Sequence, residues 1–543
     1  MPKEVVGFYI SKNYYLCSEP TYNKDIQTGK QLLHWLASFG QTLNVLWDLE
    51  YSASCILSKF HLSIEQLSEL METTKLEIDD CLFTYIPSKF MSVKAGRNWG
   101  SPFAMYSNGS QYFTAFLEEV DRDTAYKYAC EAKQIGMEVR DSLAVLKVNA
   151  RNLISPINQF AKAYFQRMHF PLVDELNAID PQIGEYSFNA LEAGLFECRQ
   201  KGHFNEVYDF DINGAYGSSL SALPNINKGE WKYVKEYKPD APIGFYKTKV
   251  TITDSFSPIG FRAKDFNSTP IGTWDKYLSQ QQIQCIDKWK LGSVNVEDGY
   301  VWTPIEWQNI YAPLIRRLFE IKESSTGIQK DVMKRVLSGI WGIMGQIIKG
   351  KFGEYFQPVI HALVEINTRL KVFELCKQNN IEPISIALDG VVTDRPLENI
   401  NIGTDMGQWK LSHQGKCIAI NSDLVLIEGK DSKQVFTATY EWAKNEIENN
   451  PDASRYTMTR NSCVTVGKVV QNPKLLDRLG EIVPTNRSID LNVEFKRIYP
   501  EHPKTGKELL SGKIYNSMPV DVGMLEVMEL PEVDDTLLTS SNW

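Results

Sequence analysis

The sequence predicts a multidomain α/β (α+β) protein, and three observations carry that prediction. Two apolar runs, Tyr208–Ile212 and Ile384–Val392, each deliver a single carboxylate to a strand end, Asp211 in the first and Asp389 in the second. Between them, 312–349 and about 358–378 carry helical periodicity. The 543 residues leave room for about three or four domains of typical size.

Composition narrows the class. A hydrophobic content of 43% with 23% charged residues is that of an ordinary globular protein. No apolar run reaches about 18 residues, and the first residues lack the charged and apolar regions of a signal peptide. The nine cysteines are odd in number and lack CxxC spacing, which predicts reduced thiols in a cytoplasmic location with no membrane partner. The net charge of -9 does not mark a nucleic-acid binder, but local patches decide phosphate binding.

In chain order, Val5–Ile10 and Leu43–Trp47 read as strands of an α/β unit covering 1–155, with helices near 64–73 and 121–148. Residues 156–206 read as mostly helical, with Phe165 and Phe170 in the core. A strand at 208–212 follows, then small residues and a helical start at Tyr216. Residues 225–300 are rich in glycine, proline and β-formers and read as sheet and loops. Two helices fill 312–349 around the linker Glu323–Gly327. Between Pro313 and Lys351 eight basic residues face three acids, and Lys330 and Lys334 share a helix face. Such a face suits a triphosphate, since ammonium groups act as point charges for phosphate. After the Asp389 strand, 413–428 is β-rich and the rest is mixed, with six acids and no lysine or arginine from Pro519 onward.

Three segments in this order resemble the palm and fingers motifs of family B DNA polymerases, of the phage and plasmid type that includes protein-primed members. The first motif, D-x-x-S-L-Y-P, is matched by Asp211-Ile212-Asn213-Gly214-Ala215-Tyr216-Gly217. The second, K-x-x-x-N-S-x-Y-G, is matched by Lys334 through Gly342, with Ser338, Gly339 and Trp341 substituted. The third, D-T-D-S, is met by Ala387-Leu388-Asp389-Gly390, which keeps the second aspartate and lacks the first. The resemblance implies a right-hand polymerase with palm, fingers and thumb. It is similar at the N-terminus to an RNase H-like, 3′–5′ exonuclease-type domain, but the carboxylate motifs fall on Tyr9-Ile10-Ser11, on Asp48-Leu49-Glu50-Tyr51-Ser52 and near Tyr106-Ser107. Only Asp141 fits the last motif, so this domain is expected to be inactive. The implied division is 1–155 exonuclease-like, 156–300 linker helices and palm, 301–357 fingers, 358–412 palm, and 413–543 thumb and C-terminal region with an acidic tail.

The resemblance implies DNA-templated DNA synthesis from a primer 3′-hydroxyl, without proofreading. Asp211 and Asp389, with the Ile212 carbonyl, would hold magnesium, with manganese as an alternative. Asp209 is a further carboxylate that could make up for Ala387. Lys322 and Lys334 would bind the triphosphate, Tyr216 would lie under the sugar, and Trp341 would shape the base-pair pocket. Lys410 and the segment Lys496-Arg497-Ile498-Tyr499 would grip primer-template DNA. The implied partners are DNA, deoxynucleoside triphosphates and a priming or processivity protein. Only 55 positions separate Lys334 from Asp389, so the insertion that protein-primed members carry there is expected to be minimal. The alternatives are a catalytically reduced, nucleic-acid-binding subunit of a phage or defence complex, and a non-templated or primase-like nucleotidyltransferase.

Overall fold

The strand that carries Asp211 is longer than its apolar stretch. It runs Gln200–Ile212, preceded by Phe196–Cys198, where the sequence reading expects helix through 206. Arg199 and Lys201 are buried here, so hydrophobic alternation does not mark the stretch. The structure is a computed structural model and describes residues 5–19, 21, 26–39, 43–87, 90–96, 98–99, 119–148, 158–168, 180–192, 194–262, 267–348, 351–430, 438–494 and 496–527.

Gln200–Ile212 is the axis of an antiparallel sheet ordered Leu424–Ile427, Trp409–Asn421, Gln200–Ile212, Gly390–Thr393, Ser385–Ala387, Phe196–Cys198. Tyr515–Asn516 pairs with its first residues. One side is covered by the helix Pro358–Gln378, which buries fourteen residues, among them the polar His361, Glu365, Thr368 and Arg369. The region read as sheet and loops is a four-stranded antiparallel sheet of Gly229–Val234, Gly292–Pro304, Ile243–Ile252 and Gly272–Ser279, in that order. The helix Gln280–Trp289, opened by a Ser279–Gln282 capping box, sits among these strands. Buried Glu192 binds this sheet to the long helix, with Lys276 at 3.1 Å and Arg369 at 3.2 Å.

The basic stretch is a helical hairpin, Ala312–Ser324 and Gly327–Met344. Gly327 takes φ +54° at its turn. Among the described residues from Met344 to Pro358 the chain forms only a short ribbon, Ile347–Ile348 against Lys351–Phe352. The hairpin packs with Asn158–Arg167 and the N-terminal helix Arg122–Val145 in one core cluster, which also holds Phe165. Phe170 lies outside the described residues.

The N-terminal unit has a three-stranded sheet, Tyr15–Cys17, Val5–Ile10, Leu43–Leu46, and a four-stranded meander, Lys75–Trp99. Its core is completed from far along the chain: Cys463, Val464, Val466, Val469 and Leu479 belong to the same cluster. These residues lie at the base of the ribbon Arg455–Cys463 and Ile482–Asp490. All nine cysteines are free thiols. Among the described residues no helix is long and apolar enough to cross a membrane.

Candidate active site

Sheet register brings the two aspartates together. Gly390 pairs with Asp211 across adjacent antiparallel strands, and Asp389 occupies the two-residue turn that joins Ser385–Ala387 to Gly390–Thr393. Leu388 takes φ +57° there, as the first turn position of a tight hairpin requires. Its N–H donates to the Leu195 carbonyl at 2.8 Å. The Ile212 N–H donates to the Asp389 carbonyl at 3.2 Å, tying the turn to the strand end. A Cβ on Gly390 would lie 3.7 Å from Asp211 Oδ1, so the carboxylate rests over this glycine.

The electrostatics follow from that closeness. Burial, then the charge of Asp211, push the Asp389 carboxyl up to about 7, against the pull of Lys410 and Lys334. Lys410 is in register with Asp211 and its Nζ stands 3.0 Å from Asp211 Oδ2. Lys334 projects exposed from the second hairpin helix.

Past Asp211 the chain turns at Gly214, φ +57°, into the helix Ala215–Ala222. A Cβ at Gly214 would meet Phe319 at 3.2 Å, and one at Gly217 would meet Ile315 at 3.0 Å. These two glycines, where the motif has serine and proline, let the helical hairpin close on the strand end. Tyr216 then stacks on Trp341, ring centroids 4.7 Å apart and 9° from parallel. Trp341 stacks in turn on His361, at 4.4 Å and 15°. Trp341 Nε1 donates to the His361 carbonyl at 3.2 Å, and His361 Nδ1 donates to the Trp341 carbonyl at 3.3 Å. Sequence reasoning missed His361, because a lone histidine in an apolar helix carries no pattern. Burial pulls its imidazole down to about 4, so it is neutral.

Other predicted residues are engaged differently. Lys322 Nζ pairs with Glu323 at 2.7 Å and lies over the Phe319 ring, only 11% exposed. Asp209 is held by Lys430 at 2.7 Å, with His413 Nδ1 at 3.4 Å, so it does not stand in for the aspartate missing at Ala387. The thumb-like segment is not an open basic surface. Arg497 is buried, 3.4 Å from Glu197, with Nε donating to Ser517 at 2.6 Å. Tyr499 donates to the Cys198 carbonyl at 2.7 Å and supports the buried ammonium of Lys201. Lys496 Nζ donates to the Phe196 carbonyl at 3.1 Å. The basic-aromatic pattern thus fastens the C-terminal segment to the sheet, because Glu197 and Arg199 lie buried opposite it.

In the N-terminal unit, Tyr9 sits in the core and Ser11 accepts from the N–H groups of Asn13 and Tyr14. Trp47 stacks on Tyr128 at 4.2 Å. Asp48 caps the helix Leu49–Ser58 by accepting from Tyr51 N–H at 2.8 Å, and burial pushes it up to about 6. Asp141 is exposed and paired with Arg140. Ser107 lies outside the described residues.

Hard oxygen donors suit a small divalent cation, and magnesium is commonly held by one or two carboxylates plus substrate phosphates. Asp211 and Asp389 offer such a half-site. Among the described residues no group of three or more ligating side chains forms a complete cage.

The architecture has close counterparts among solved structures. Phi29 DNA polymerase complexed with primer-template DNA superimposes with a TM-score of 0.62 at 11% identity, covering 90% of this chain and all of that one. Its ternary complex with primer-template DNA and incoming nucleotide substrates gives 0.59 at 12% identity, over 91% of this chain and 100% of that one. The fold is a right-hand polymerase of the Phi29 type. No family model matches the sequence. Over 262 residues it is 23% identical to a DNA polymerase of Acidianus bottle-shaped virus (isolate Italy/Pozzuoli), a match that covers 45% of this chain and 39% of that relative's length.

Proposed function

We propose that the chain is a DNA-templated DNA polymerase that extends a primer 3′-hydroxyl with deoxynucleoside triphosphates, depends on magnesium and does not proofread. The observation that carries this reading is the meeting of Asp211 and Asp389 at adjacent strand ends, beside the charges of Lys334 and Lys410.

In the reaction the primer 3′-oxygen bonds to the α-phosphorus, the bond from that phosphorus to the bridging oxygen breaks, and pyrophosphate leaves. Divalent cations supply charge neutralisation for both oxygens in such transfers. Asp211 and Asp389 would hold the cations at the end of the palm. Lys334 faces the site from the fingers as a counter-charge to the triphosphate. Tyr216, fixed by its stack on Trp341, would lie under the sugar and disfavour a ribose 2′-hydroxyl. Lys322 is a second triphosphate ligand only if it exchanges Glu323 for phosphate. Lys410, at the palm strand, is the DNA-facing cation best supported by its position.

Loss of proofreading is supported by the uses to which Tyr9, Ser11 and Asp48 are put in the N-terminal unit. Extension of a labelled primer-template tests the whole reading. Asp211→Ala and Asp389→Ala should each lower incorporation by on the order of a hundredfold or more, and a mismatched 3′ end should not be trimmed. Undiminished extension by the Asp389→Ala protein would reject the assignment. The exposed Ala387 and the Asp211–Lys410 pair favour a second reading, a polymerase-like subunit of reduced activity. Metal-dependent incorporation by the purified chain separates the two.

A further inference from the structure

The four-stranded sheet beside the palm carries a tyrosine-walled cleft that the polymerase reading does not use. Tyr233 and Tyr300 face each other in register across Gly229–Val234 and Gly292–Pro304, with ring centroids 5.4 Å apart. Tyr186, from the helix Pro181–Ala190, meets Tyr277 at 4.8 Å and 76°, and Tyr300 at 5.2 Å and 88°. Rings at such angles form walls around a space of about 540 Å³, a size in the range of small-ligand sites. Asp298 lies among them, accepting from the Tyr186 hydroxyl at 2.5 Å and from the Tyr233 hydroxyl at 3.3 Å, one on each oxygen. A carboxylate offers about four lone-pair sites, so each oxygen can accept another hydrogen bond.

Two ligand classes exploit tyrosine walls: nucleobases, by stacking, and cations, by attraction to the ring face. The charge of the cleft decides between them. Asp298 and Glu185 line it, and among the described residues the one lining cation, Lys247, is neutralised by Glu297 at 2.8 Å. A nucleic acid would bring phosphates into this negative field, whereas a cation gains from the carboxylates and the rings together. A bare metal ion would find too few oxygen ligands. A planar guanidinium can stack on a ring and direct its N–H groups to Asp298.

We propose that this cleft is a docking site for an arginine side chain of a protein partner. The proposal stands on the cleft's own geometry and is independent of the active-site assignment.

The full chain labelled with 3-fluorotyrosine provides the test, the Tyr233 resonance being assigned with Tyr233→Phe. The probe is a hexapeptide alternating glycine and arginine, set against its glycine–glutamate counterpart and a single-stranded oligothymidine. The arginine peptide should shift the Tyr233 resonance saturably. Asp298→Asn, and Tyr233→Ala read at the remaining cleft tyrosines, should weaken that binding by about three- to tenfold. An unchanged thermal midpoint of Tyr233→Ala, an exposed position, certifies that the fold is retained. Oligothymidine shifting the same resonance, no shift with any probe, or equal binding by both variants would overturn the proposal.

Discussion

Asp389 sits in a tight turn with its carboxyl at about 7, well above its unfolded value near 3.8. Between those two values the folded chain holds a proton that the unfolded chain has released. This contribution to stability is therefore full below about 3.8 and is lost as pH rises through 7. A divalent cation that displaces the proton repairs the loss. The thermal midpoint should accordingly rise more on adding magnesium at pH 8 than at pH 6, and the difference should vanish in Asp389→Asn; scanning calorimetry measures it. Lys410 Nζ competes for the same oxygen of Asp211 at 3.0 Å. Lys410→Met should tighten manganese binding by the nucleotide-free chain by about two- to fivefold, as read by calorimetric titration, with a weaker grip on DNA. That Asp211 and Asp389 each end an apolar run was legible in the sequence, and the motif resemblance implied that they meet. The salt bridge from Lys410 was not, because register between strands 200 residues apart is a tertiary fact.

The long helix Pro358–Gln378 sets the third layer under Tyr216 and Trp341. Its His361 stays neutral to about pH 4, whereas an unfolded histidine protonates near 6.5. The unfolded state then binds the extra proton, so this stabilisation is present above about 6.5 and is lost as pH falls toward 4, amounting to about 3 kcal/mol at the acid end. His361→Phe should flatten that part of the pH–stability curve in denaturant titrations. It should also raise the KM for nucleotide more than it lowers kcat if the stack positions Trp341. The strand Gln200–Ile212 shows what patterning cannot reach. Arg199, just before it, and Lys201, in its first half, are buried, with charges met by Glu197 and Glu382 and by the Leu491 carbonyl at 3.0 Å. Glu197→Ala would take from buried Arg497 its carboxylate partner and leave Arg199 with Glu382, at a cost of about 3–5 kcal/mol. Earlier proteolytic cutting after residue 494 would report release of the clamped segment. Helices with clean amphipathic faces, such as Ile64–Thr73, were legible in the sequence, whereas the Ser63 cap came only with the structure.

At the scale of the molecule, the order of motifs along the chain predicted the palm and fingers. The junctions escaped prediction because they are made by residues distant in sequence. The clearest is the core shared by the N-terminal unit and the base of the ribbon 455–490, where Val466 is fully buried and Cys55 Sγ contacts the Gly480 carbonyl at 3.5 Å. Leu479→Ala should cost about 2–4 kcal/mol. It should lower one common thermal transition, followed by the fluorescence of Trp35 and Trp47, instead of splitting off an early one.

That shared core gives the N-terminal unit a second duty, separate from any chemistry it performs: it is the buttress against which the far ribbon leans. Trimming away the front third would lay bare a greasy footing and leave the ribbon unsupported.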